Sequence, residues 1–356
     1  MTNSYQDVTS FVKRAAADAG FDLAGIAPAA NSPELEYFPA WIAAGHGGEM
    51  NYLKSLDDQG GLKRASLSRV APWARSVIAC AINYNTEQPY SIQVQDHDRG
   101  WISRYAWSRE DYHDAVLRRV KQVESTLHQS VTDTALVTRG YVDTGPIVER
   151  VFAKYAGVGW IGKNTCIINQ KLGSWLFLGV ILTSLELEAD LPAPDRCGTC
   201  TRCIQSCPTQ AIVEPYKLDS NLCISYLTIE KRGSIPEELH AGIGRHIFGC
   251  DICQDVCPWN RRAPATSAQE FQPRPGLVNP SLEWLAEMSG EEFQKTFRGS
   301  PIRRTKQSGL RRNAAIAMGN SGNSRFLPTL ENLATDEDPS VSQTANFAIE
   351  RLRQGQ

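Results

Sequence analysis

Eight of the ten cysteines fall between positions 197 and 257, in two runs whose spacing suits iron–sulfur chemistry. The first, Cys197-Gly-Thr-Cys200-Thr-Arg-Cys203-Ile-Gln-Ser-Cys207-Pro208, reads C-x2-C-x2-C-x3-C-P. The second, Cys250-Asp-Ile-Cys253-Gln-Asp-Val-Cys257-Pro258, has the same ending but lacks a first cysteine, which Cys223 upstream can replace. Thiolates are soft ligands, and four of them close a 4Fe–4S centre. One tight loop presents three sulfurs to one cluster, while the fourth Cys, followed by Pro, serves the other. Cys197, Cys200, Cys203 and Cys257 are thereby assigned to one cluster, and Cys207, Cys223, Cys250 and Cys253 to a second. A pair of zinc sites is the alternative, because C-x2-C pairs also hold zinc, although zinc rarely needs the C-x3-C-P ending twice. With no secretory segment expected, disulfides fit less well. Cys80 and Cys166 sit in apolar runs and are expected in the core.

The elements that must carry this centre are drawn from 356 residues, enough for two or three domains. Apolar content of 42% and charged content of 21% suit a globular chain with a sizeable core. A net charge of −2 and a pI near 6.3 argue against whole-surface affinity for nucleic acid, so such a partner needs a local basic patch. The N-terminus, Met1 to Gly20, reads as an amphipathic helix, and Trp175 to Leu182 is far too short to span a bilayer. Oxygen-sensitive clusters make the cytoplasm the expected location.

Three segments are expected: 1–190, mixed helices and strands; 191–263, a ferredoxin-like cluster domain with a helical insertion at 224–245; and 264–356, short amphipathic helices with the rhythm of HEAT repeats. The fold class is α+β. Ser76–Ile82 reads as a buried central strand, Tyr112–Leu127 as a helix and Ala135–Thr138 as a short strand. Pro146 fits the first position of a further helix with Ile147, Val151 and Tyr155 on one face. Asp143 then stands just ahead of that helix, after a strand, where α/β proteins often place chemistry. Gly157-Val-Gly-Trp-Ile-Gly162 spells G-x-G-x-x-G, and Gly162-Lys163-Asn164 nearly completes a P-loop. The first follows a helix instead of a strand, and the second needs Ser or Thr where Asn164 stands, so a close approach to some other large ligand fits the glycines better. Residues 291–312 carry seven basic side chains against two acidic ones: either a solvated helix face or a phosphate-binding patch.

Taken together, Arg104-Tyr-Ala-Trp107, Asp111-Tyr-His113, Val142-Asp-Thr-Gly-Pro-Ile-Val-Glu149, Ala156-Gly-Val-Gly-Trp-Ile-Gly-Lys-Asn-Thr165, Gly173-Ser-Trp-Leu-Phe-Leu-Gly179, Cys223-Ile-Ser-Tyr-Leu-Thr-Ile-Glu230 and Gly249–Asn260 resemble the epoxyqueuosine reductase family over nearly the whole chain. Cys166 and Val180 depart from its pattern at packing positions. The resemblance implies a cobalamin-binding catalytic domain at 1–190. It implies reduction of epoxyqueuosine to queuosine at the wobble position of tRNA, by Co(I) cobalamin fed from two 4Fe–4S clusters. Asp143 is the implied proton donor; the competing role is a helix cap. Arg64, Tyr105, Ala106, Asp143, Lys163, Asn164 and Ser174 are the implied cobalamin contacts. His113 beside Tyr112 is expected to be packed or hydrogen-bonded, not a cobalt ligand. Lys231, Arg232, Arg303, Arg304, Arg311 and Arg312 are the expected tRNA contacts. A low-potential electron donor, no membrane and a monomer complete the expectation. A cobalamin enzyme acting on a small molecule, like the reductive dehalogenases, and a two-cluster electron carrier are the competing classes.

Overall fold

The computed structural model describes residues 4–131 and 135–354, with side chains from residue 7 onward. The first three residues of the expected N-terminal helix, and the last two of the C-terminal segment, lie outside it. The three consecutive segments read from the sequence map onto two compact units that exchange chain: Met1–Asn85, Tyr112–Thr201 and Pro258–Ser267 form one, while Thr86–Asp111, Arg202–Cys257 and Ala268–Gln356 form the other.

The first unit is built on an antiparallel sheet. Its strands are β1 (Leu23–Pro28), β2 (Ser76–Asn83), β3 (Thr138–Tyr141) and, after the short hairpin of β4 (Trp160–Ile161) and β5 (Ile167–Ile168), β6 (Leu176–Thr183). Sheet order is β1-β2-β6-β3. Every residue of β2 is buried, as its unbroken apolar run requires of a central strand. Helices α1 (Ser4–Asp18) and α3 (Tyr112–Ser130) pack on one face, where Val120 meets Gly140 and Gly179. Helix α2 (Pro33–Ala43) and α4 (Glu149–Tyr155) join a second apolar cluster with Val77, Ala79 and Val180. A Cβ at Gly25 would lie 1.9 Å from the Ala156 carbonyl oxygen. Gly25→Ala is therefore expected to cost about 3 kcal/mol, measured by urea unfolding, because backbone cannot rotate away as a side chain can.

Two elements differ from the sequence reading. The strand expected at 135–138 starts at Thr138; Val137 donates its N–H to Ser184 Oγ, so the regular ladder begins one residue later. The helix expected from Pro146 starts at Glu149; the Gly145 carbonyl, where its first bond would form, accepts from the Arg64 guanidinium at 2.8 Å. Cys80 is fully buried, which pushes its thiol up to about 12, whereas Cys166 is only half-buried at the turn before β5.

In the second unit, α5 (Ile224–Ile229), α6 (Glu237–Ile243), α7 (Leu282–Glu287), α8 (Gly290–Thr296), α9 (Lys306–Ser321), α10 (Leu327–Leu333) and α11 (Pro339–Gln354) follow one another, and all but α6 contribute to one core with Trp101, Trp107 and Phe248. Helices α9 and α11 approach closely enough that a Cβ on Gly319 would sit 2.8 Å from Ala348 Cβ. No helix among the described residues is long and apolar enough to cross a membrane.

Candidate active site and cluster loops

Asp143 lies in the turn between β3 and α4, with φ of +56°, a left-handed backbone that costs a non-glycine residue about 1 kcal/mol. Its side chain is 66% exposed. The Tyr112 hydroxyl, on the first residue of α3, donates to Asp143 Oδ2 at 2.6 Å, and His113 Nε2 stands 3.7 Å from the same oxygen. Tyr112 also stacks on Phe177 of β6 at 4.5 Å, which fixes the ring that holds the carboxylate. Surrounding protein acts to raise the Asp143 pKa, but His113, the Tyr112 hydroxyl and the Arg150 charge outweigh it and hold the carboxyl below its ordinary value. The reading of Asp143 as a helix cap fails, since α4 begins six residues later with Val148 before it and no side-chain cap. His113 is a partner of Asp143.

At Glu149, the first residue of α4, burial prevails. Burial, then the Asp143 charge, pushes Glu149 up to about 7 against the opposing charges of Arg150 and Arg64. Its Oε1 is buried and has no hydrogen-bond partner among the described residues. Glu149 thus keeps its proton through mildly acidic pH and gives it up around neutrality. Since its folded pKa lies above the ordinary 4.5, its favourable contribution to stability is complete at low pH and is lost as pH rises toward and through 7. Wild type is expected to lose roughly 2–3 kcal/mol between pH 4.5 and 8 from this group, and Glu149→Gln to flatten that slope in paired urea titrations. An unchanged slope would place the proton elsewhere.

The other implied cofactor contacts are differently placed. Arg64 is buried and donates to the Tyr52 carbonyl at 2.6 Å and to Gly145. Asn164 and Ser174 are buried, and Ser174 Oγ accepts from Asn260 at 2.8 Å. Lys163 donates to the carbonyls of Gly198 at 2.6 Å and Cys200 at 3.0 Å. The glycines of the G-x-G-x-x-G run are crowded by their own chain: a Cβ on Gly159 would meet the Ile168 carbonyl at 2.4 Å. Gly159 and Gly162 thus lie close against Ile168 of the β4–β5 hairpin, and Gly157 against the Leu191 carbonyl. Trp160 Nε1 in that hairpin is buried and without a hydrogen-bond partner among the described residues. In the second unit, Ala106 is wholly buried and Tyr105 packs toward Phe248.

The cysteine loops are held by neighbouring polar groups. In the first unit Cys200 N–H donates to the Cys197 carbonyl at 3.1 Å, and Cys197 N–H donates to Asp195. In the second, Cys250, Cys223 and Cys207 are close enough for their thiolate charges to interact, and burial pushes the Cys250 thiol well up. Asp251 accepts from Ser103 Oγ, from Arg104 N at 2.8 Å and from Trp101 Nε1 at 3.2 Å. Asp255 accepts from Ser91 N and Oγ. These bonds tie the Cys250–Cys257 loop to the 91–104 segment. Among the described residues, no three His, Cys, Asp or Glu side chains form a site for a single metal ion.

The basic patch is smaller than its sequence. Arg303 is exposed; Arg304 forms a two-pronged pair with Glu230 at 2.8 and 2.9 Å; and Arg232 donates to the Arg304 carbonyl at 2.9 Å. Lys231, Arg232, Arg303 and Arg304 thus share one neighbourhood although some seventy residues separate the pairs. Arg311 is half-buried against Asp336 and the Met288 carbonyl. Arg312 is 1% exposed and spends its guanidinium on the carbonyls of Leu227, Lys231 and Gly233, which removes it from the phosphate-binding set.

Residues 196–260 match the family model "4Fe-4S double cluster binding domain", and residues 64–144 match "Epoxyqueuosine reductase QueG, DUF1730". The chain is 45% identical over 295 residues to an epoxyqueuosine reductase of Synechocystis sp., covering 82% of this chain and 98% of the relative. A crystal structure of an epoxyqueuosine reductase with an epoxyqueuosine-modified tRNA-Tyr stem loop is similar at 30% identity and a TM-score of 0.84, over 97% of this chain and 90% of that one. A Bacillus subtilis epoxyqueuosine reductase, with an aspartate-bearing catalytic loop swung out of its active site, is similar at 29% identity and a TM-score of 0.85, with the same coverages of 97% and 90%.

Proposed function

Because the chain belongs to the epoxyqueuosine reductase family, we propose that it reduces epoxyqueuosine to queuosine in tRNA, removing the epoxide oxygen as water with two electrons and two protons. The observation that carries this reading is an exposed carboxylate on a left-handed turn, clamped by Tyr112 and His113, in a chain with the double-cluster cysteine motif. Catalytic aspartate loops occur in a relative of the same fold.

The cysteines fit two 4Fe–4S clusters by number and spacing, Cys197, Cys200, Cys203 and Cys257 serving one and Cys207, Cys223, Cys250 and Cys253 the other. Trp160 Nε1 and Glu149 Oε1, a donor and an acceptor without a hydrogen-bond partner among the described residues, suit a large cofactor with amide arms. Cobalamin, when bound, would supply a low-potential two-electron centre. Arg64 then holds the Gly145 turn, Asn164 accepts from Cys166 N–H within its own turn, and Ser174 is held by Asn260. Asp143 delivers the proton to the departing oxygen. With its exposed side covered by ligands, water leaves, the ionised form loses solvation, and its pKa rises toward the working range. Tyr112 and His113 keep Oδ2 oriented meanwhile. The C-terminal helices are read as a HEAT-like module that carries the tRNA patch.

The test is conversion: chain purified without oxygen, supplied with cobalamin and a low-potential reductant, is incubated with epoxyqueuosine tRNA, and the digested nucleosides are weighed. Cobalamin-dependent loss of one oxygen is expected; no conversion by chain loaded with corrin and clusters would remove the reading. Lys231, Arg232, Arg303 and Arg304 are proposed to meet phosphate. Their joint replacement by Gln is expected to weaken tRNA binding and lower the slope of log K against log salt by roughly 0.7–0.9 per lost contact. An unaltered slope would refute the patch.

A further inference from the structure

Lys163 stands in the sequence as the lysine of an incomplete P-loop, yet its partners are peptide oxygens. Its ammonium donates to Gly198 O and Cys200 O, at 2.6 and 3.0 Å, both within the Cys197-Gly-Thr-Cys200 loop. The loop is exposed at Gly198, where the backbone φ is +50°, and nothing stands within 4 Å of where a Cβ would be. Within the loop Cys200 N–H donates to Cys197 O, and the Asp195 carboxylate accepts from Cys197 N–H at 2.7 Å. One anionic and one cationic side chain therefore grip the same four-residue turn. The hairpin of β4 and β5 presents the lysine: Gly162 N–H donates to the Cys166 carbonyl at 2.8 Å, closing the tight turn on which Lys163 sits.

We propose that Lys163 is a positioning and potential-setting residue for the iron–sulfur cluster held by Cys197 and Cys200, an inference that rests on the cluster reading above. Two physical effects act together. The bonds to two carbonyls of the loop fix the peptide planes from which both thiolates project. The fixed positive charge favours the more negative, reduced cluster, because cluster potentials follow net charge and hydrogen bonding around the sulfurs. The charge belongs to the protein and needs no ligand or substrate to act. The same contact commits two of the three ammonium donors of Lys163 to the cysteine loop.

The test is an EPR-monitored redox titration of full-length chain with clusters assembled without oxygen, comparing wild type, Lys163→Gln and Lys163→Arg. Glutamine keeps donors but loses the charge; arginine keeps the charge. In the Gln variant the reduction equilibrium constant of one cluster is expected to fall by about tenfold, equivalent to about 59 mV for a one-electron couple, with the other cluster unmoved. The Arg variant is expected to titrate near wild type. Coincident titrations of both clusters in wild type and the Gln variant would overturn the proposal. If the Gln variant fails to assemble one cluster, rescue of assembly and potential by Arg supports it, and failure of Arg overturns it. A wild-type chain that shows no 4Fe–4S signal at all would overturn the cluster reading beneath it instead.

Discussion

Asp143→Asn is expected to cut turnover by about 10²–10⁴-fold, the range a positioned general acid contributes, with cluster content and corrin uptake unchanged. Asparagine has the same shape and can still accept from the Tyr112 hydroxyl, so the turn should keep its geometry. No helix cap is lost, because α4 begins at Glu149 without one. What disappears is a group that can carry a proton to the leaving oxygen. Single-turnover conversion, with reductant and cobalamin supplied in excess, separates this from slow cofactor loading. Turnover within a few-fold of wild type would sink the acid role and turn attention to His113 and Tyr112.

Arg312→Gln is expected to destabilise the chain by about 3 kcal/mol while leaving the salt slope of tRNA binding unchanged in the folded molecules. The guanidinium satisfies three backbone carbonyls from 227 to 233, and each orphaned buried acceptor costs about 1–3 kcal/mol. Glutamine reaches at most some of them. Urea unfolding measures the first claim, and filter binding across a salt series the second. A stability loss under about 0.5 kcal/mol together with a reduced slope would return Arg312 to the tRNA surface.

The cysteine framework was legible because its information is local: spacing alone specifies which sulfurs one loop can present. The buried strand Ser76–Asn83 and the helix from Tyr112 were legible for the same reason, through an unbroken apolar run and a helical period. Glu149 was not, since its raised pKa follows from tertiary burial and from Asp143, while Arg64, which opposes the shift, comes from 85 positions upstream. Lys163 resembled a phosphate ligand in sequence, and its carbonyl partners come from 35 and 37 residues onward. Arg312 lay in a charged run that suggested a solvated face. The helix carrying it is buried almost all round from Gly309 to Gly319, and no local pattern marks which of two adjacent arginines turns inward. Pro146 suits a first turn, yet α4 starts at Glu149, and the Gly145 carbonyl is engaged by Arg64, a tertiary contact that no local pattern marks.

The most direct test of reductive deoxygenation is the same conversion run in water enriched in heavy oxygen, followed by nucleoside mass measurement. The expected product is lighter than epoxyqueuosine by one oxygen, with no heavy oxygen incorporated. A product heavier by one water and carrying the heavy label would show epoxide hydrolysis, and would contradict the assignment of this chain as a reductase.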